Sequence, residues 1–314
     1  MSRDVLRVAD LGARGLAEVL ELAGQALPPL LERRGAALLF ERPSARTRNA
    51  CEMAVVQLGG HPVTIRGEEV GLEVREQAED VARTLACYHS LLAARVARHS
   101  TLERMAAALA AWPRPVPVVN LLSDVEHPTQ ALADLLTIRL ELGRLAGVRV
   151  AYVGDANNVC RSLVDACALS GASVAVASPE GYGLEPAHLD RAADLGREAG
   201  LGGEVSCTTR PEDAVEGADV VYTDVWVSMG DEADAARRRL ELAGYTVDER
   251  LLEHAGAGAI FLHCLPAHRG EEVSAEALDG PRSRVWRQAE QRMHAARALF
   301  AWVLGARPGQ TSER

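Results

Sequence analysis

Short apolar runs alternate with longer amphipathic ones along most of the 314-residue chain. Eight runs have strand length: Ala36–Phe40, Pro62–Ile65, Leu91–Ala94, Val116–Asn120, Val148–Val153, Ser173–Ala177, Asp219–Thr223 and Ala259–Leu262. Between them apolar positions recur at helical spacing over Arg46–Leu58, Val74–Cys87, Thr101–Ala111, Gln130–Leu142, Val159–Ser170, Pro186–Ala199 and Ala289–Leu304. A further amphipathic helix is expected from about Leu11 to Leu31. Strands that alternate with helices predict parallel sheets covered on both faces. The series restarts near Leu145–Gly147, which predicts one α/β domain before that point and another after it. Ligand sites in such sheets lie beyond the strand C-termini, often in a cleft between domains.

Composition narrows the chemistry. At 48% hydrophobic and 25% charged residues the chain is long enough for two cores and too apolar to be disordered. Its formal net charge of −10 argues against nucleic acid as a partner, because phosphate backbones need a basic face. The chain contains arginine but no lysine. Schiff-base chemistry, pyridoxal-phosphate chemistry and the Walker-type P-loop each require a lysine and are excluded. The six cysteines form no CxxC pair. With no secretory apolar segment and no run of membrane-spanning length, a cytoplasmic protein with reduced thiols and no membrane partner is expected.

Five short blocks carry candidate chemistry. In FERPSARTR, residues 40–48, a strand runs into Ser44, a suitable helix N-cap, followed at once by Arg46 and Thr47. Free amides at a helix start, a guanidinium and a hydroxyl at one place make a phosphate-sized cradle. In EHPTQALADLLTI, residues 126–138, His127 stands at a strand–helix junction ahead of Pro128, with Gln130 in the same first turn. The third block, YVGDANNVCRSL at 152–163, resembles a dinucleotide turn but lacks GxGxxG and a following acidic residue. Its paired amides suit the amino-acid part of a substrate. In YTDVWVSMGDE, residues 222–232, Asp224 ends a strand, and Ser228-Met229-Gly230 form a loop able to lie over a ligand. In FLHCLPAHRGEEV, residues 261–273, Cys264 follows a strand. His263, Cys264 and His268 are close, yet adjacent residues do not easily share one tetrahedral ion, so no metal is expected. Nor is a Cys–His nucleophile, since neighbouring strand residues face opposite ways.

Together and in this order, the five blocks resemble the aspartate/ornithine carbamoyltransferase superfamily, over about Leu6 to Leu304. The Ser-x-Arg-Thr-Arg and HPTQ blocks are common to the superfamily. Asp224 with the Ser-Met-Gly loop and His-Cys-Leu-Pro resembles its ornithine branch. The resemblance implies two doubly wound, Rossmann-like parallel-sheet domains with the active site in the cleft between them. Residues 1–144, joined by a C-terminal helix at 288–305, would bind carbamoyl phosphate, and 145–287 would bind ornithine. Carried over position by position, carbamoyl phosphate is expected at Ser44, the backbone N–H of Ala45, Arg46, Thr47, Arg95, His127, Gln130, Cys264, Leu265 and Arg292. Ornithine is expected at Asn158, Asp224, Ser228 and Met229, and catalysis at Arg95, His127, Asp224 and Cys264. The implied reaction is carbamoyl transfer to the δ-amine of L-ornithine for arginine biosynthesis, without a metal or organic cofactor, in a homotrimer or a multiple of trimers. Other expectations in play are a different acceptor amine, such as putrescine or an acylated ornithine, and a non-catalytic anion-binding paralogue.

Two departures stand out. Position 45, usually Thr or Gly in the family, is Ala, which keeps the N–H and removes a hydroxyl. Where ornithine enzymes commonly show Gln-Leu-Gly, this chain has Gly71-Leu72-Glu73. The missing glutamine usually reaches a neighbouring subunit's carbamoyl phosphate, and a carboxylate near a phosphate would weaken its binding.

Overall fold

In the computed structural model, residues 3–227 and 232–309 are described. The chain divides into two compact units, one ending at Ala133 but taking in the segment from Gln291 onward, the other spanning Asp134–Glu290. In the first unit, α1 (Gly12–Ala23) precedes β1 (Gly35–Phe40), α2 (Ala45–Gln57) and β2 (His61–Arg66). Then come α3 (Gly67–Val70), α4 (Ala78–Tyr88), β3 (His89–Arg95), α5 (His99–Leu109) and β4 (Val118–Leu122). Helix α6 (Pro128–Leu142) carries the chain from this unit into the next.

All four strands of the first unit are parallel, in the order β2-β1-β3-β4. Residues Ala36–Leu39 and Leu91–Ala94 are fully buried, which accounts for their unbroken apolar sequence in central parallel strands. Ala37, Leu39, Leu92 and Ala94 share one core with Val81, Leu85, Leu102 and Met105 of α4 and α5. The crossover from β1 leads one way, to β2, while β3 and β4 lie on the other side. The sheet therefore has a switch point between β1 and β3, where ligands of open α/β sheets bind. Phe40 pairs with Arg95 at that point.

The second unit repeats the plan. It contains β5 (Arg149–Val153), α7 (Asn158–Ser170), β6 (Ser173–Ala177), α8 (Pro186–Ala199), β7 (Val205–Thr208), α9 (Pro211–Val215) and β8 (Val220–Thr223). After these come α10 (Ala235–Leu242), α11 (Glu249–Leu252), β9 (Ile260–His263), α12 (Ala275–Asp279) and α13 (Val285–Val303), the last running on into the first unit. Its strands are also parallel, in the order β7-β6-β5-β8-β9, so its switch point lies between β5 and β8. Two parallel-sheet α/β units are thus present, as the strand–helix alternation predicts.

Several expected elements need correction. The N-terminal helix stops at Ala23, not Leu31: Gly24 caps it, and Pro28-Pro29 cannot continue it. Strand β7 has no counterpart among the eight expected strands, because this short edge strand is only partly buried and shows no apolar run. Helix α4 begins at Ala78 and not at Val74. The residues before it are occupied by α3 and a turn with Gly71 at φ +65° and Glu73 at φ +62°. Among the described residues no helix is long and apolar enough to cross a membrane. All six cysteines are free thiols.

A buried polar network secures the end of β9 in the second unit. Gln288 Nε2 donates to Asp134 Oδ1 (2.6 Å), and its Oε1 accepts the His263 backbone N–H (2.9 Å). Tyr222 Oη donates to the other carboxylate oxygen of Asp134 (3.2 Å). Asp134 is fully buried, so each donor offsets the cost of taking a carboxylate out of water. Replacing Gln288 by Leu removes one such donor and leaves the His263 amide unmet. Urea unfolding of Gln288→Leu should show a loss of about 2–4 kcal/mol; a loss below about 1 kcal/mol would mean the network is not a main support of this unit.

Candidate active site

The first cluster forms at the switch point of the first sheet. Ser44 occupies the N-cap position of α2 in extended backbone conformation, but its hydroxyl makes no capping bond, contrary to the cap expected of it. Ala45 and Arg46 are exposed and Thr47 is buried. Arg42 and Arg48 are exposed as well, and Arg48 lies 3.6 Å from Glu52 one turn on. From 245 residues away in sequence, Arg292 of α13 donates Nη2 to Thr47 Oγ1 at 2.7 Å. That bond uses a lone pair of the hydroxyl and leaves its hydrogen free to donate elsewhere.

Arg95, the last residue of β3, is only 7% exposed, and its Nε has no hydrogen-bond partner among the described residues. Burial, with Arg292, Arg42 and Arg46 nearby, lowers its pKa to about 10, so it remains charged at neutral pH. His127 is buried just ahead of α6, with Nδ1 3.2 Å from Thr129 Oγ1. Burial first, then Arg292, Arg95 and Arg46, push its pKa well below the usual histidine value. The ring is therefore neutral at pH 7 and donates through one nitrogen only. Gln130 lies fully buried in the first turn of α6. The arrangement brings Arg46, Arg95, Arg292, His127 and Thr47 into one electrostatic neighbourhood beside a helix N-terminus. Cations held together at such a cost are stabilised by an anion placed among them.

The second cluster forms at the switch point of the other sheet. Asp224 follows β8 and is 5% exposed. Its Oδ1 accepts the Cys264 thiol (2.9 Å) and the Val225 backbone N–H (2.8 Å), while Oδ2 accepts Asn157 Nδ2 (2.8 Å). Asn158 is the first residue of α7. Leu265 sits at φ +60° before a cis bond to Pro266, a left-handed conformation unfavourable for a branched side chain. Its N–H is held by His263 Nδ1 (2.9 Å), and His263 Nε2 lies 3.1 Å from Glu272 Oε1. A metal-ligand reading must meet this geometry. Asp224, His263 and Cys264 place ligand atoms within 4.8 Å of one another, but both nitrogens of His263 are already engaged. Ser228 and Met229, expected at the ornithine site, lie outside the described residues.

Some neighbours of these residues went unread in the sequence. Asn157, one of the paired amides of the third block, is the N-cap of α7, and an asparagine just before a helix is a recognisable cap. Arg238 donates Nε to the Trp226 carbonyl (2.6 Å), pairs with Asp155 and lies over the Tyr182 ring. Nothing local distinguishes it within the run Arg237–Arg239. Glu73, expected to trouble a phosphate, instead meets Arg104, whose Nη1 lies 3.0 Å from each of its carboxylate oxygens.

A cationic anion cradle at one switch point and a carboxylate–thiol–amide cluster at the other, on two parallel α/β units, define a two-domain α/β transferase. The chain belongs to the aspartate/ornithine carbamoyltransferase family. Residues 3–140 match the family's carbamoyl-P binding domain, and 146–303 its Asp/Orn binding domain. It is 46% identical to an ornithine carbamoyltransferase of Acidothermus cellulolyticus over 99% of both chains. A Hyperthermus butylicus ornithine carbamoyltransferase is 45% identical over 96% of this chain and 97% of its own. The solved ornithine carbamoyltransferase of Pyrococcus furiosus superposes with a TM-score of 0.89 at 42% identity, covering 97% of this chain and 98% of its own.

The lowered His127 pKa has a defined consequence for stability. In the unfolded chain a histidine titrates near ~6.5. Between the folded and unfolded values the unfolded state binds more protons, so stability rises with pH there. His127 thus contributes its full stabilisation above ~6.5 and loses it as pH falls toward the folded value, by at most about 1.4 kcal/mol per pH unit. Denaturant unfolding between pH 5 and pH 7 should show a flatter acid slope in His127→Gln than in the unmodified chain. Equal slopes would remove His127 from the acid response.

Proposed function

We propose that this chain transfers the carbamoyl group of carbamoyl phosphate to the δ-amine of L-ornithine, giving L-citrulline and phosphate for arginine biosynthesis. The observation that supports this reading is the buried Arg95 guanidinium, whose Nε has no partner among the described residues and whose field is shared with Arg46, Arg292 and His127. Such a group suits a small dianion whose charge moves during reaction. The ornithine carbamoyltransferases that this chain matches over nearly its whole length supply the acceptor.

In the mechanism we propose, Ser44, Arg46 and the amides of Ala45 and the first turn of α2 hold the phosphate. Arg95, His127 and Thr47 donate to the carbonyl oxygen as the neutral δ-amine attacks the carbonyl carbon and negative charge grows there. The Arg292–Thr47 bond supports this role by directing the threonine hydrogen outward. Neutral His127 fits a donor better than a general acid, since proton loss from an imidazolium is not required of it. The tetrahedral intermediate then collapses, breaking the C–O bond to phosphate. Phosphate leaves with the former bonding pair and accepts the proton released by the amine, so charge and atoms balance. Gln130, the Leu265 carbonyl and Arg292 orient the carbamoyl group, while Asn158, Asp224, Ser228 and Met229 hold ornithine, with Cys264 beside Asp224. Left-handed Leu265, held by His263, supports a carbonyl turned toward a ligand.

The protein's subunit state is part of the same proposal: a homotrimer or a multiple of trimers, cytoplasmic, as the family resemblance implies. The central test is turnover with carbamoyl phosphate and a panel of amines. Citrulline should form from ornithine, with putrescine and N-acetylornithine poor acceptors; robust turnover of another amine with none of ornithine would overturn the assignment. In the same assay Arg46→Ala should lower kcat/KM for carbamoyl phosphate by about 100-fold or more. Near-normal turnover would take Arg46 out of the phosphate site.

A further inference from the structure

The side chain of Asn157 makes two kinds of bond through opposite ends of one amide. Its Oδ1 accepts the backbone N–H of Val159 (2.9 Å) and of Cys160 (3.3 Å), capping α7. Its Nδ2 donates to Asp224 Oδ2 (2.8 Å), 67 residues away across the β5/β8 switch point. An amide has one acceptor end and one donor end, so the cap decides what faces Asp224. With the oxygen committed to the helix, the nitrogen is turned to the carboxylate. Serine, threonine or aspartate would cap the helix comparably. A serine or threonine hydroxyl has only its single oxygen for both tasks and lacks the second atom by which Asn157 reaches Asp224, and an aspartate would set one carboxylate against another.

We infer that Asn157 is the positioning residue for the amine side of the site, fixing the Asp224 carboxylate through the same group that places Asn158. This rests on the reading that Asp224 receives the amine of ornithine. Three donors converge on Asp224: Asn157 Nδ2 on one oxygen, the Cys264 thiol and the Val225 amide on the other. Donors to a carboxylate favour its ionised form and lock its plane. A carboxylate has about four lone-pair sites, so three donors leave roughly one for a ligand. The lone pair that remains has a direction set by Asn157. Asn158, next in the chain and first in α7, is oriented by the same cap. Loss of the Asn157 donor therefore loosens one expected ornithine contact directly and leaves the other in place.

The test uses the intact enzyme with Asn157→Ser, Asn157→Asp and Asp224→Asn, each characterised by melting temperature and by kcat and KM for both substrates. Both Asn157 variants keep a cap; Asn157→Ser should melt within a few degrees of the unmodified chain, and Asn157→Asp lower, by the repulsion it introduces. Their KM for carbamoyl phosphate should stay within about twofold. Their kcat/KM for ornithine should fall by about 10- to 100-fold, more in Asn157→Asp than in Asn157→Ser, the range expected for a hydrogen bond to a charged group. Unchanged ornithine kinetics in both variants overturn the inference. So does a loss that falls equally on the two substrates and tracks melting temperature, because that is the behaviour of a cap alone. Asp224→Asn separates the two levels of the argument. If it leaves the ornithine KM unchanged, the placement of the amine at Asp224 fails; if it abolishes ornithine use while the Asn157 variants do not weaken it, only the role of Asn157 fails.

Discussion

Parallel strands must be joined by crossovers that pass to one side of the sheet or the other. At the strand pair where the direction reverses, the C-terminal edge is left uncovered by either crossover. This constraint places everything else that matters in the molecule. In the first unit the reversal lies between β1 and β3; Ser44–Thr47 follow β1, and Arg95 is the last residue of β3. In the second it lies between β5 and β8, followed by Asn157–Asn158 and Asp224. The central strands, buried and apolar on both faces over Ala36–Leu39 and Leu91–Ala94, supply the rigidity. The uncovered ends supply the polar groups, Thr47 and Arg95 in one unit and Asp224 in the other.

The two ends are built with opposite electrostatics. At the first, cations crowd together: burial and the neighbouring guanidiniums lower the proton affinity of Arg95 and hold His127 neutral. At the second, a single carboxylate is surrounded by neutral donors, the Asn157 amide, the Cys264 thiol and a backbone N–H. One end would be stabilised by an anion placed among its cations; the other is already satisfied and has little capacity left over. That asymmetry matches the demands of the proposed reaction. Its donor brings a phosphate whose charge must be met in full. Its acceptor is an amine that has to be held without being trapped as a tightly paired ammonium.

The parts of this design legible in the sequence are those written in local order. Ala36–Phe40 and Leu91–Ala94 announce buried strands because burial on both faces demands an uninterrupted apolar run. Arg46, His127 and Asp224 stand at strand–helix junctions, where short motifs are readable. Edge strand β7 was not legible, since a half-exposed Val205–Thr208 has no pattern to separate it from a loop. Nor were the partnerships. Arg292 meets Thr47 across 245 residues, and Asn157 meets Asp224 across 67. Such pairs depend on strand order, which local periodicity does not carry. The Ser44 hydroxyl shows the opposite error: the sequence suggests a cap, and the folded backbone puts the residue in the right position without making the bond.

The two departures from the family pattern have different physical weight. Ala45 is exposed at the very start of α2, where the proposed phosphate contact is the backbone N–H, and a methyl side chain leaves that amide unobstructed. The change at 71–73 reaches deeper. Glu73 takes up φ +62°, a conformation open to glycine and costly for a residue with a Cβ. What offsets the cost is Arg104, which meets both oxygens of Glu73 and also grips Glu79, holding that carboxyl down to about 2. A turn that glycine would shape through backbone freedom is shaped here by a three-residue charge network. The network also neutralises the carboxylate that the altered sequence introduces. The Glu73 carboxylate is therefore tied to a guanidinium, and the conformation of the turn depends on Arg104, a residue outside the loop on α5.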